Sequence, residues 1–384
     1  MNKILKLEFE HCLKYFKENT NYIQGTSGYG LTRDKYPQIE DISSIASTGY
    51  SLAALVLSVI YSYISYEEGY AKALLSLKNI YDLEHINGFY YHYLNYYDGK
   101  RALNSEISII DTSILLCGVL YVGDYFKGDV LELSKKIYER VNWQWFVDKW
   151  NNQFYLGYKN RFYGHWDNYA EQLIMYILGA GSPTYPINKE VYYSFNRNKK
   201  DDIIYSWFGS LFTYQYSHAW INFNGLKDEL GVDWFLNSYK ATLANKEYCG
   251  NLRNKTFKLG YWGLSATVTN KRYSQRLGAE PSMCKIKPDG TISLSSLISS
   301  IIYDDVVPLI NNLYDDYPDI FGEYGFVTSI NLSKRIPWYS NVYLGIDKGN
   351  TMLMLNNYFN KDIWNIMMSN QYVKCGLKRL NIKK

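Results

Sequence analysis

Asp111 and Glu171 are acids placed where helical spacing calls for an apolar side chain. Asp111 heads a stripe that continues through Ile114, Leu115 and Gly118, and Glu171 heads one through Ile174, Met175 and Leu178. Both follow the i, i+3, i+4, i+7 rule for the inward face of a helix. A charge on that face costs free energy unless it is paired or lines a wet cavity. Each acid falls at the predicted first turn of its helix, where the backbone dipole favours an anion. Two carboxylates pointing into a mouth formed by helix ends suit acid/base chemistry on a glycosidic bond. The competing reading is a buried structural acid satisfied by tyrosine, arginine or backbone donors.

The elements that must position these acids are mainly helices. Periodicity predicts them near residues 3–18, 44–64, 67–82, 108–125, 129–141, 169–179, 234–248, 295–302, 304–314, 349–359 and 361–368. Glu67-Glu68-Gly69 and Lys127-Gly128-Asp129 read as short joins between paired helices. The pattern fits an all-α fold of helical hairpins closed into a ring, an (α/α)6 barrel, with short β-hairpins and long loops at the active-site end. Gly88 to Tyr97 alternates aromatic and polar residues and ends at Asp98-Gly99, a hairpin turn signal. Gly250 to Asp289 reads as loops with short strands. Neither a Pro/Gly/Ser linker nor a long charge run divides residues 1–384, so a single domain is expected.

The 384 residues carry a net charge of +4, with the basic residues scattered, which argues against a nucleic-acid or membrane partner. Lys378, Arg379, Lys383 and Lys384 read as a solvated basic end. Lys3, Lys6, Glu8 and Glu10 interrupt the apolar core that a secretion signal needs. The stretch Ile42 to Ile64 is the best membrane-span candidate and is broken by Ser and Tyr, so a cytoplasmic protein is expected. Cys12, Cys117, Cys249, Cys284 and Cys375 form no C-x-x-C pair, and the five His are dispersed, so neither a metal nor a cofactor is expected. The 41 Tyr and 10 Trp could stack sugar rings or reflect codon composition alone.

Several blocks, taken in order, resemble a known family. They include Gly30-Leu31-Thr32-Arg33-Asp34, Ser43 to Gly49, Gly88-Phe89-Tyr90-Tyr91-His92 and Glu106 to Thr112. Trp166-Asp167-Asn168-Tyr169-Ala170-Glu171, Tyr216-Ser217-His218-Ala219-Trp220 and Tyr261-Trp262-Gly263-Leu264 follow. Tyr324 to Val327, Trp338-Tyr339-Ser340 and Tyr343 to Gly349 complete the series. The chain resembles the glucoamylase-like bacterial family that contains endo-β-1,2-glucanases and the processing domain of cyclic β-1,2-glucan synthases. The resemblance implies an (α/α)6 barrel with its active site in a groove at one end. It also implies Glu171 as proton donor, Asp347 as base, acting through a substrate hydroxyl and water, and Asp111 as an essential acid near the cleaved bond. Asp347 could equally be a helix N-cap.

Around these acids, Arg33, Tyr91, His92, Glu106, Trp166, Asp167, Tyr169, His218, Trp220, Trp262, Trp338 and Tyr339 are the candidate substrate contacts. Asp167, one turn before Glu171, could raise its pKa or cap its helix. Tyr216, His218 and Trp220 fall on one side if the segment is extended. Arg33 with Asp34 reads as a substrate-side or a surface ion pair. Glu106 reaches the mouth with Asp111 only if it lies in a loop. The chain departs from the family in carrying neutral Asn95, Asn222, Asn224, Thr328 and Asn356 where relatives tend to carry an acid or Arg. Lys348 and Asn350 stand in place of the usual Gln and Pro, and Ser265-Ala266-Thr267-Val268 replaces Thr-Ala-Ser-Asp. The expected activity is hydrolysis of a β-glucan or gluco-oligosaccharide, β-1,2-linked, with inversion. A non-catalytic glycan-binding relative and a transglycosylase are the alternatives. An oligosaccharide or polysaccharide is the expected partner, and the sequence does not fix the oligomeric state.

Overall fold

The computed structural model describes residues 2–38 and 40–384. In chain order its helices are α1 (Lys3–Asn19), α2 (Ile45–Ile60), α3 (Tyr66–Asp82), α4 (Ile109–Phe126) and α5 (Gly128–Glu139). Next come α6 (Leu173–Gly181), α7 (Lys189–Tyr193), α8 (Tyr216–Trp220), α9 (Trp234–Gly250) and α10 (Lys255–Lys258). The last are α11 (Leu294–Ser299), α12 (Val307–Asp316), α13 (Gly345–Phe359), α14 (Asp362–Ser369) and α15 (Gln371–Arg379). The fold is helix-dominated, and its short strands form separate sheets of two to four strands.

Two classes of helix are visible. α2, α4, α6, α8, α11 and α13 are buried around almost their whole circumference. Helices apolar all round belong inside a core. α1, α3, α5 and α12 bury only one stripe and turn polar residues outward. The stripes predicted at Asp111 and Glu171 are therefore parts of fully buried helices, not faces of amphipathic ones. α4 is long and apolar enough to cross a membrane, with a mean hydropathy of 1.5 over 18 residues. It is 78% buried inside the protein, where its apolar character serves the core. The helix long and apolar enough to span is thus Ile109–Phe126, whereas the expected stretch Ile42 to Ile64 holds a shorter apolar helix, Ile45–Ile60.

Short strands fix where several buried helices begin. Ile42–Ser44 pairs with Tyr93–Asn95 and leads into α2. Ile107–Ser108 pairs with the strand Gln153–Lys159 and leads into α4. Thr291–Ser293 precedes α11, and Tyr343–Leu344, paired with Lys35–Tyr36, precedes α13. Serine N-caps sharpen three of these starts: Ser44, Ser108 and Ser293 each accept from a backbone N–H three residues on.

The sequence-derived helices near 3–18, 44–64, 67–82, 108–125 and 129–141 match α1 to α5 within a few residues. Glu67-Glu68-Gly69 is not a join but the first turn of α3; the chain turns at 61–65 instead. α6 starts at Leu173, so Glu171 lies in the turn before it and not in its first turn. α13 starts at Gly345, which brings Asp347 into the first turn, and Leu344 is the N-cap. Tyr216–Trp220 is a short helix and not an extended segment. Gly88 to Tyr97 is divided: His85–Ile86 pairs with Phe89–Tyr90, whereas Tyr93–Asn95 pairs with Ile42–Ser44.

α2 and α4 cross at bare backbone. A Cβ on Gly118 would lie 2.1 Å from the Gly49 carbonyl oxygen, and one on Gly49 would lie 2.5 Å from the Ile114 carbonyl oxygen. Neither obstacle is a side chain that can swing away. Gly118→Val is expected to cost about 3 kcal/mol, the upper end for core overpacking. Urea unfolding checks it, with Gly250→Ala as a near-neutral control, since a Cβ there meets nothing within 4 Å.

Candidate active site

The N-terminal ends of α2, α4, α6, α8 and α13 border a cleft of about 740 Å³. Asp34, His92, Glu106, Asp111 and Glu171 all line it. Tyr93, Phe212, Tyr216 and Tyr273 supply its aromatic walls.

Asp111 sits in the first turn of α4 and is fixed on both sides. Its Oδ2 accepts from the Ser108 hydroxyl at 2.6 Å, and its Oδ1 lies 3.7 Å from His92 Nε2. The other ring nitrogen of His92, Nδ1, lies 3.0 Å from Glu106 Oε1. Glu106 is in the loop ahead of strand Ile107–Ser108, the condition under which both acids reach the mouth. Burial alone would push the His92 pKa down; the charges of Asp111, Glu106 and Asp34 outweigh it and hold the imidazole at about 9. The hydrogen bond from His92 in turn pulls the Glu106 carboxyl below its ordinary value. The result is a charged Glu106–His92–Asp111 chain on one wall. The His92 N–H donates to the Glu106 carbonyl and its carbonyl accepts from Ile45 N–H, so main chain fixes the ring as well. His92→Gln is expected to remove the cation between the two carboxylates, so that Glu106 and Asp111 shift by about 1 Å or more. A crystal structure of the variant checks this.

Glu171 faces the same cleft from the turn before α6. Its carbonyl accepts from the Ser217 hydroxyl at 2.5 Å, which also accepts from Ile174 N–H at 3.2 Å. The turn is thus pinned to α8. Burial raises the Glu171 pKa to about 7, a backbone hydrogen bond opposes this, and the charge of Asp111 adds to it. Asp167 is not among the causes; its side chain accepts from Asn168 instead.

Asp347 lies behind the cleft wall that Leu344 and Ile346 form. It is 9% exposed and borders a separate void of about 10 Å³, roughly a single water site. Burial raises its pKa to about 7; the neighbouring Lys348 charge opposes this and Asp34 adds to it. Its Oδ2 has no hydrogen-bond partner among the described residues. Lys348 is itself buried and donates to Glu8 Oε1 at 2.8 Å and to the Phe326 carbonyl at 2.7 Å. Burial, with added charge from Asp347 and Glu171, raises the Tyr216 hydroxyl well above its ordinary value.

Asp34, read from the sequence only as the partner of Arg33, is a further acid of the cleft. It lines the cleft, its carbonyl accepts from Gly345 N–H at 2.8 Å, and burial raises its pKa. Its neighbour Arg33 turns away, bonding Asp41 at 3.1 Å and covering the Tyr96 ring at 4.2 Å. The expected Arg33–Asp34 pair does not form.

Most of the expected aromatic contacts are not on the cleft. Trp166 packs by Trp207, Tyr169 stacks on Trp234 at 4.8 Å, and Trp220 stacks on Tyr50 at 5.5 Å. Trp262 is 1% exposed. Tyr91 is buried and turned toward Glu84 and Arg101. Trp338 and Tyr339 are half-buried in a strand paired with Ser329–Asn331, outside the cleft lining. His218 bonds the Ser238 hydroxyl at 2.9 Å in the core, where burial lowers its pKa to about 3. Large aromatics sit in the core here because they bury the most apolar area.

The chain belongs to the Glycoamylase family: the family model, described as "Putative glucoamylase", matches residues 163–371. The chain is 23% identical to an exo β-1,2-glucooligosaccharide sophorohydrolase (non-reducing end) of Parabacteroides distasonis, over 91% of this chain and 54% of that protein. It therefore spans about half the length of that curated relative. An endo-β-1,2-glucanase from Chitinophaga pinensis, solved with sophorotriose and glucose, superposes with a TM-score of 0.86 at 25% identity, over 99% of this chain and 98% of that one. A β-1,2-glucanase from Parabacteroides distasonis superposes with a TM-score of 0.84 at 21% identity, over 98% of this chain and 60% of that one.

Proposed function

We propose that the chain is a glycosidase that hydrolyses β-1,2-linked glucan or gluco-oligosaccharides with inversion. The observation that carries this is Glu171: a carboxyl facing an acid-lined cleft with a pKa raised to about 7. A carboxyl still protonated near neutral pH can donate to a leaving glycosidic oxygen. The named relatives, which act on β-1,2-linked glucans, support the linkage.

In this reading Glu171 is the general acid and Asp347 the general base. Asp347 is recessed, so it acts through a water or a substrate hydroxyl, and its unpartnered Oδ2 is the accepting atom. The two groups need opposite protonation states, and a separation of roughly 6.5–9.5 Å leaves room for the attacking water. The Glu106–His92–Asp111 chain grips sugar hydroxyls beside the cleaved bond. A second reading makes Asp111 the base, because it lines the cleft alongside Glu171 whereas Asp347 does not.

The same reading takes the chain as a single (α/α)6 barrel. α2, α4, α6, α8, α11 and α13 form its inner ring. α2 packs on α4 and α13, α4 on α6, α6 on α8, and α11 on α13. Gln215, next to α8, donates to the Ser296 carbonyl of α11 at 2.9 Å, and α8 itself packs on α13.

The test is incubation with β-1,2-glucan, laminarin and other glucans. Reducing ends should rise on β-1,2-glucan, with the α-anomer first in the NMR spectrum. No release on any glucan overturns the proposal, and longer products without new reducing ends assign a transglycosylase instead.

A further inference from the structure

The cleft does not stop at the acids. A second hollow of about 560 Å³ opens from it, and Asp34, Lys35, Tyr93 and Val342 belong to both. Its size is within the range of roughly 300–1,000 Å³ typical of small-molecule sites. Its far lip is Leu103, a leucine 59% exposed to solvent.

Leu103 is held there against its conformational preference. Its φ is +53°, the left-handed region that leucine rarely adopts, and Asn104 follows at +47°. The turn is fixed from several sides. Ala102 N–H donates to the Tyr93 carbonyl at 2.9 Å, the Ser105 hydroxyl donates to the same carbonyl at 3.1 Å, and Arg101 Nε donates to the Ser105 carbonyl at 2.7 Å. An exposed apolar side chain on a strained, over-determined turn contributes little to the core. Strain kept in this way marks a functional position.

We propose that the second hollow is an additional saccharide subsite, with Leu103 as its apolar platform and Lys35 and Glu40 as partners for ring hydroxyls. The occupant is the continuation of the same oligosaccharide whose cleaved bond lies between Glu171 and Asp111. Sugar rings carry an apolar C–H face and a polar rim, and the hollow offers both surfaces. This rests on the hydrolase reading above and adds that the enzyme gains from chain length beyond the units held at the acids.

The experiment compares short and long β-1,2-linked glucooligosaccharides in the wild type and in Leu103→Gly. Glycine relieves the strain and removes the platform, so the variant should fold with an unreduced melting temperature. Its kcat/KM on long oligosaccharides should fall about tenfold, the scale of one lost apolar contact, with short ones unchanged. Calorimetric binding in a Glu171→Gln background reads the same preference without turnover. A wild type that binds long oligosaccharides more tightly but cleaves none removes the hydrolase reading and leaves the subsite standing. Equal losses on short and long chains, no loss on either, or wild-type binding that ignores length overturns the subsite.

Discussion

Glu171→Gln should lower kcat/KM on β-1,2-glucan by about a thousandfold, the mid-range for loss of a positioned general acid. Glutamine keeps the shape and the cleft position but carries no transferable proton. The pH profile makes the assignment specific. The Glu171 carboxyl is raised to about 7 by burial, so its active, protonated form is present below that pH and disappears above it. Wild-type kcat/KM should therefore show an alkaline limb near pH 7, and the residual activity of the variant should lack it. The stability consequence has the opposite sign. A carboxyl whose folded pKa lies above its unfolded value of about 4.3 contributes stability that is fully present below that pH and is lost as pH rises through about 7. Glutamine escapes that loss. Glu171→Gln should thus melt at a higher temperature than the wild type at pH 8 and match it near pH 4. A fully active variant, or one with its alkaline limb intact, removes Glu171 as the donor.

The acids were legible because charge at an apolar position is rare enough to stand out. Asp111, Glu171 and Glu106 do face one cleft, and His92 joins two of them. The aromatic contacts were not legible, for a physical reason. A tryptophan that stacks on sugar and one that fills a core differ only in which side of a wall they face, and residue type carries no such information. Trp220, Trp262 and Tyr169 took the core side. Asp34 was not read as a cleft acid because its sequence neighbour Arg33 looked like its partner. In an extended stretch adjacent side chains point to opposite faces. Here one goes to Asp41 and Tyr96, the other to the cleft. The helix count was legible where the period had room to repeat, as in α1 to α5. α8 has only five residues, too few for any period, and its place among the buried helices comes from tertiary packing alone.

Asp347→Ala should lower kcat on β-1,2-glucan by about a thousandfold, since a general base contributes on the same scale as the acid. The contrast with Asp111→Ala decides between the two candidate bases. Azide needs no deprotonation, so it can attack from the cleft in place of the water even when the recessed base is gone. With an activated β-glucosyl substrate, azide should restore turnover of Asp347→Ala and yield the inverted α-glucosyl azide. Asp111→Ala should be equally impaired yet unrescued, because its loss disturbs the His92–Glu106 chain that grips substrate. The burial of Asp347 gives this a second readout. Its ionised form is the active one and its pKa is held near 7, so wild-type activity should fall as pH drops below that value. Lys348, whose charge favours ionised Asp347, limits how far the pKa rises; Lys348→Gln should move the acid limb upward. Rescue of Asp111→Ala in place of Asp347→Ala would hand the base role to the acid on the cleft wall.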